Sequence, residues 1–287
     1  MTQNPVLTLT PAIEFPTGKL VQTINRAYSD YYVSIWFDEA QFLRQCQEED
    51  TNLHHSVLAQ IDDEIAGMVL LAHREKHGWI NAVGVLPTWR RHGIARQMLL
   101  KIQETARTLE LESLTLEVLT QNEGALALYR NLGFTCQREL LVLTSEAVSS
   151  LSPLPPGIAS TSPAPLLSVG DLFHDVSQPW QRERATLQHR LPELQALAYQ
   201  ENGHLCGYLL YQTQRQYLSI QDLAVIKEHP RRVDLAHLLL QAMHSQHPGA
   251  GGYAINIPAD DPLLPAYFGL PYKVWQRQYE MVWKVNL

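Results

Sequence analysis

The residues of this chain that are spaced for chemistry lie between Val83 and Arg96. The run Val83-Gly84-Val85-Leu86-Pro87-Thr88-Trp89-Arg90-Arg91-His92-Gly93-Ile94-Ala95-Arg96 leads from an apolar, β-prone stretch through a short basic turn into a helical pattern. Ile94, Met98, Ile102, Ala106 and Leu109 recur at helical intervals and mark one buried face. A strand, a turn of small residues and a helix start together make an anion site. The turn bares backbone N–H groups, and the helix dipole adds partial positive charge. Arg90, Arg91 and Arg96 contribute full charges, so the expected ligand is phosphorylated. The competing reading is an ordinary strand-to-helix turn with a basic rim.

Other chemistries find no matching pattern. The histidines, His54-His55 among them, lack ligand spacing such as His-Glu-x-x-His, and no metal is expected. Gly249-Ala250-Gly251-Gly252 precedes a strand instead of following one, the wrong context for a dinucleotide loop. No serine or cysteine triad is readable. Cys46, Cys136 and Cys206 are odd in number and far apart, as reduced thiols are. A formal net charge of −7 argues against a nucleic-acid partner and suits an amine substrate. Arg231-Arg232 reads as a solvated corner. The start Met1-Thr2-Gln3-Asn4-Pro5 shows no signal peptide, and no run approaches the roughly 20 apolar residues of a membrane span. The expectation is a cytoplasmic protein, monomer or homodimer, without nucleic-acid or membrane partners. Its 287 residues suffice for two domains.

The elements that must position the basic turn can be read in order. Leu20 to Tyr32 and Asp38 to Glu48 are expected helices, the second capped by Asp38. Between them, Tyr28-Ser29-Asp30-Tyr31-Tyr32-Val33-Ser34-Ile35-Trp36-Phe37 is unusually aromatic, either a staple between helices or one wall of a substrate pocket. Ser56 to Ile61 and Ile65 to Ala72 form a hairpin across Asp62-Asp63-Glu64, and Trp79 to Leu86 is a third long strand. After the basic helix, Leu114-Thr115-Leu116-Glu117-Val118 alternates like a half-buried strand. Asn122 caps a helix with stripe Ala125, Leu128, Tyr129 and Leu132, which Gly133 ends, and Gln137 to Leu143 is the next strand. The strand–helix–strand part implies a right-handed parallel crossover.

This order, and three motifs within it, resemble the GNAT superfamily of acyl-CoA-dependent N-acetyltransferases over roughly Leu20 to Leu143. Arg90-x-x-Gly93-x-Ala95 is similar to the family's pyrophosphate loop. Val83-Gly84-Val85 falls where the family's fourth strand splays to pair with the pantetheine arm. Ala127-Leu128-Tyr129-x-x-x-Gly133-Phe134 resembles the family's Ala-x-x-Leu-Tyr-x-x-x-Gly-Phe signature, and Asn122 stands where a family asparagine meets the cofactor.

The resemblance implies direct transfer of an acetyl group from acetyl-CoA, as co-substrate, to a primary amine of a small molecule or peptide. It places cofactor contacts at Val83, Val85, Arg90, Arg91, His92, Gly93, Ile94, Ala95, Arg96 and Asn122. Backbone amides from Arg91 to Arg96 would hold the pyrophosphate, helped by the side chain of Arg90 or Arg91. Tyr129 is the implied general acid, and a backbone N–H near Val83 the implied carbonyl polariser. Many family members carry a glutamate on the fourth strand, where this chain has Ile80-Asn81-Ala82-Val83. Glu117 on the next strand is then the base candidate, with a solvated strand face as its other reading; His73 and His77 are weaker candidates. Tyr31, Tyr32 and Asn81 are candidate substrate contacts. A non-catalytic acyl-CoA sensor, or an acyltransferase with another acyl donor or a hydroxyl acceptor, is the alternative.

Ser149 to Pro165 is Ser/Pro-rich and reads as a linker between residues 1–148 and 166–287. The second part repeats the first in outline. Helical Leu166 to Asp175 and Trp180 to Leu191 precede strands Leu194 to Glu201, Leu205 to Tyr211 and Leu218 to Val225. Helix Val233 to Ser245, strand Tyr253 to Ile257, helix Pro262 to Phe268 and paired strands within Lys273 to Trp283 follow. The expected fold class is therefore α/β (α+β): two tandem GNAT-like domains. Each is a mixed, mostly antiparallel twisted sheet with a central parallel strand pair and flanking helices. The second departs where chemistry should be. Its loop, Lys227-Glu228-His229-Pro230-Arg231-Arg232-Val233-Asp234-Leu235, has no glycine, and Tyr267-Phe268-Gly269 alters the tyrosine spacing. It is expected to bind acyl-CoA poorly and to serve as structure or to shape the acceptor site.

Overall fold

A computed structural model of the chain describes residues 6–148, 156–214 and 217–285. It divides into two compact units. The first comprises Met1–Gln137 with Glu280–Leu287, and the second Arg138–Tyr279.

In the first unit, strand β1 (Leu7–Pro11) leads to helix α1 (Thr17–Ala27). Leu20, Val21, Ile24 and Ala27 turn one face of α1 into the core. Helix α2 (Glu39–Glu48) starts with a capping box. Gln41 N–H donates to Asp38 Oδ1 at 2.7 Å, and Asp38 N–H to Gln41 Oε1 at 3.0 Å. Strands β2 (Val57–Ile61), β3 (Glu64–Arg74) and β4 (His77–Val85) run antiparallel beside β1. Helix α3 (Ile94–Thr108) then crosses over to β5 (Ser113–Leu119), which is parallel to β4. Helix α4 (Glu123–Asn131) is capped by Asn122 and ended by Gly133 at φ 86°. Strand β6 (Thr135–Ser145) passes from the first unit into the second.

Two features of β4 create the site. Leu70 pairs with Ala82 and Leu71 with Ile80, so Asn81 is an extra, bulged residue. The parallel ladder joins only His77–Trp79 to Ser113–Thr115 among the described residues. Beyond it, β4 and β5 have parted.

The second unit contains β7 (Ile158–Thr161), α5 (Pro163–Leu167), α6 (Gly170–Phe173), α7 (Arg184–Arg190), β8 (Gln195–Glu201), β9 (His204–Gln214) and β10 (Tyr217–Val225). Next come α8 (Arg232–Gln246), β11 (Gly251–Pro258), α9 (Leu264–Phe268) and most of β12 (Lys273–Lys284). It repeats the device of the first. Among the described residues, strand β10 pairs in parallel with β11 only from Tyr217 to Ile220, and Gln221 is then bulged against β9.

Several expectations change. Helix α1 stops at Ala27 instead of Tyr32, because Tyr28 and Asp30 are drawn to β4 and Arg90. β1 carries no strong pattern and is held by pairing with β2. Residues 149–155 of the expected linker lie outside the described residues. Its remainder is not linker: β7 pairs with β8, and α5 buries Leu166 and Leu167. Lys273 to Trp283 is a single strand, and its last residues complete the first unit. There Val285 N–H donates to Glu112 O at 3.0 Å and Trp283 packs 6.5 Å from Phe134. Cys46, Cys136 and Cys206 form no disulfide, and no helix among the described residues is long and apolar enough to cross a membrane.

Candidate active site

The gap between β4 and β5 is a cleft of about 470 Å³, floored by the bulge and closed on one side by the turn after α1. One end is the start of α3. Arg91 at φ 68° and Gly93 at φ 76° swing the chain so that Gly93 becomes the N-cap without any capping side chain. The first-turn N–H groups of a helix have no intrahelical acceptor and attract an anion. A side chain built at Gly93 would meet nothing within 4 Å, so its space is open. Ala95 and Arg91 line the cleft. Ile94 is 2% exposed, so only its backbone can face a ligand, and His92 turns its Nδ1 to Arg90 O at 2.8 Å. Arg96 is exposed.

Arg90 also lines the cleft, and its side chain is already engaged. Its guanidinium bonds both oxygens of Asp30, at 2.7 and 2.6 Å, and also Ala27 O and Val85 O. The hydrogen bonds from Arg90 hold the Asp30 carboxyl below its ordinary range. The second unit repeats this clamp: Arg232 pairs with Asp175 and reaches Val225 O, the last residue of β10. A clamp present where the glycine loop is missing belongs to the fold and fastens the turn to the fourth strand.

The middle of the cleft is a group of tyrosines. The Tyr28 hydroxyl donates to Val83 O at 3.1 Å and accepts Val83 N–H at 3.2 Å, so the amide expected to meet the thioester is already engaged. Tyr31 stacks edge-on against Tyr28 at 5.1 Å and Tyr32 against Tyr31 at 5.3 Å. Tyr129, on α4, lies 7% exposed beside Phe134. Burial, then the neighbouring Tyr28 and Tyr31, push its phenol well above the usual range. Asn122 Oδ1 accepts Ala125 N–H at 3.2 Å, and the Asn122 side chain bonds Tyr31.

Across the cleft, Glu117 accepts Trp79 Nε1–H at 2.7 Å, which fixes the orientation of the carboxylate. Asn81 donates to Thr51 Oγ1 at 2.7 Å, while its buried Oδ1 has no partner. Val83, Val85, Tyr31, Tyr32, Asn81, Glu117, Asn122 and Tyr129 therefore share one cavity. His73 is 3.0 Å from His55, His77 is 3.0 Å from Ser113, and both lie outside the lining. Tyr28 begins the aromatic run read above as a helix staple or a pocket wall, and Trp79 carries no sequence sign of its bond to Glu117. The aromatic run after α1 was the only signal for Tyr28.

In the second unit a side chain bridges the equivalent strands. Arg182, 4% exposed, donates to Ile220 O of β10 at 3.3 Å and Ile255 O of β11 at 3.4 Å. Its counter-ion is buried Asp222, which also accepts Tyr208 O–H at 2.7 Å and lies 3.2 Å from His174 Nε2. Burial would raise the Asp222 carboxyl, but His174 and Arg182 hold it below the ordinary value. α8 has Arg231 as its N-cap, with neither glycine nor left-handed turn, and α9 lacks a side-chain cap.

With this geometry in view, residues 21–134 match the model of the acetyltransferase (GNAT) family. The matched stretch lies within the first unit. The chain as a whole has a tandem GNAT fold. A tandem GNAT protein from the clavulanic acid biosynthesis pathway is 14% identical over 98% of this chain and 99% of that one, with a TM-score of 0.71. A GCN5-related N-acetyltransferase from Sphaerobacter thermophilus is 15% identical over 98% and 96%, with a TM-score of 0.74. A putative acetyltransferase from Pyrococcus horikoshii is 16% identical over 100% and 91%, with a TM-score of 0.65. No curated protein matches the sequence. The match to that family over residues 21–134 implies acyl transfer from an acyl-CoA.

Proposed function

We propose that the first unit transfers an acetyl group from acetyl-CoA to a primary amine of a small molecule or peptide, and that the second holds no acyl-CoA. The observation that carries the reading is the open gap between β4 and β5 beside an uncapped glycine helix start. Backbone N–H groups of the α3 start take the pyrophosphate, and the edge of β4 receives the pantetheine arm. Glu117, oriented by Trp79, accepts the amine proton directly or through water, and Tyr129 donates toward the leaving sulfur. The orphaned Asn81 Oδ1 offers an acceptor to the amine N–H. In the second unit, Arg182 spans the strands that a pantetheine would have to enter between.

Calorimetric titration of the full chain with acetyl-CoA tests this. A stoichiometry near one, lost in Gly93→Asp, supports the assignment. A carboxylate there fills the open space and repels phosphate. Unchanged binding in Gly93→Asp refutes the loop assignment, and a stoichiometry near two refutes the reading of the second unit. A second reading, a non-catalytic acyl-CoA sensor, draws on Asn81 standing where a carboxylate would act as base. A panel of primary amines separates the two: a sensor binds acetyl-CoA and acetylates none of them.

A further inference from the structure

Tyr28 is the C-cap of α1, and its single hydroxyl bridges both backbone groups of Val83. In an antiparallel ladder a residue's N–H and C=O leave from the same edge of the strand. Those of Val83 turn to Tyr28, on the edge where β4 has parted from β5. A carbonyl entering the cleft at this level meets a phenol, with the amide behind it.

The ring is held in that position. Gly84 has no side chain, and a Cβ there would meet Ala27 Cβ at 2.8 Å and Tyr28 Cε2 at 3.3 Å. The end of α1 thus lies directly on β4. Tyr31 packs edge-on against the Tyr28 ring, and the Arg90 clamp fastens the same turn through Ala27 O and Asp30. Burial, then Tyr31, push the Tyr28 phenol well above its ordinary range, so it keeps its proton at every working pH and acts as a donor. A tyrosine hydroxyl has one proton and acceptor lone pairs. With Val83 N–H seated on the oxygen, the proton is polarised and can turn from Val83 O to a better acceptor.

We infer that Tyr28 is the hydrogen-bond donor that stabilises the oxyanion during acyl transfer in the first unit. The inference rests on the acyltransferase reading above. As the amine nitrogen bonds to the thioester carbon, the carbonyl π pair moves onto oxygen, where Tyr28 O–H meets it. The pair then returns, the carbon–sulfur bond breaks, and the sulfur takes up one proton while the amine gives up one. Tyr28 begins and ends protonated. Losing one such donor costs about 10²–10³-fold in turnover.

The test is difference infrared spectroscopy of acetyl-CoA, isotopically labelled at the carbonyl carbon, bound to the full chain and to Tyr28→Phe. The expected result is a carbonyl stretch shifted to lower frequency in the parent and returned to the free value in Tyr28→Phe, with acetyl-CoA affinity unchanged by calorimetry. A shift that persists in the variant overturns the inference, because another group then donates. A marked gain in affinity also overturns it, since Tyr28 would then be a latch displaced by the pantetheine arm. Binding to the parent without any shift removes Tyr28 alone, whereas no binding removes the acyltransferase reading and this inference with it. If Tyr28→Phe does not fold, 3-fluorotyrosine in place of Tyr28 decides. Its more acidic phenol deepens the shift if Tyr28 donates and leaves it unchanged if not.

Discussion

Tyr129 and Tyr28 face the same cleft, but their surroundings suit them to different work. Tyr129 packs against Phe134 on the buried side of α4, while Tyr28 is tied to the backbone of β4. A phenol raised above its usual value of about 10 is a poor acid toward a thiol near 8.5, so the acid role proposed for Tyr129 requires it to donate as the thiolate forms and not to titrate beforehand. Tyr129→Phe is expected to lower kcat by about 10²-fold. Acetyl-CoA affinity should hold, and neither protein's pH profile should show a tyrosine limb below about pH 10. Steady-state kinetics across pH checks this, and equal kcat in the two proteins returns Tyr129 to the core. The Arg90 side chain shows the limit of reading residues singly. Its spacing fits a phosphate contact, and its actual partner, Asp30, is distant in sequence.

At the scale of elements, the site exists because two strands stop pairing. The bulge at Asn81 and the short β4–β5 ladder open the gap, and α3 and α4 present their N-termini on the crossover side. The connection from α1 to α2 must then be fixed at both ends. Arg90 and Tyr28 hold its start, and the capping box of Asp38 and Gln41 holds its end. Asp38→Ala is expected to cost about 1 kcal/mol, measured by denaturant unfolding. A change near zero would mean that tertiary packing of Phe42 and Cys46 sets the start of α2 instead. Much of the cleft lining comes from two stretches that the resemblance singles out, between Val83 and Ala95 and between Asn122 and Tyr129. Those stretches are continuous, and their strand, turn and cap signals are local. Tyr28 and Trp79 act through partners that are remote in sequence, Val83 and Glu117, which no periodicity reveals.

At the scale of the molecule, the units are not the two ends of the chain. Residues Glu280–Leu287 belong to the first unit, where Trp283 covers Phe134 and Gly133 and lies 5.0 Å under the Arg107 guanidinium. A chain cut after residue 148 therefore lacks part of the core of its own first unit. It is expected to be less stable by more than the about 3–5 kcal/mol that removing one buried tryptophan costs, with a lower Tm. Adding the last residues back as a peptide should recover part of the loss. A truncated chain as stable as the parent first unit would show that Trp283 contributes nothing. The two units also differ in what their parted strands enclose. An open cleft needs no counter-ion, whereas buried Arg182 needs Asp222, and Asp222 in turn His174 and Tyr208.

The sequence by itself determined what depends on neighbours along the chain. Helix periodicity, the Asp38 and Asn122 caps, the left-handed glycines at Gly93 and Gly133, and the order of strands and helices are all of this kind. Together they sufficed for a tandem GNAT fold and for the position of the cleft. Only the tertiary structure decided which hydroxyl covers Val83, where the Arg90 charge goes, how Arg182 bridges the second gap, and that the last strand is shared between the units. Each of those outcomes is a pairing between groups far apart in sequence. Such pairings are selected by burial and hydrogen-bond satisfaction after the elements pack, and they leave no local pattern to read.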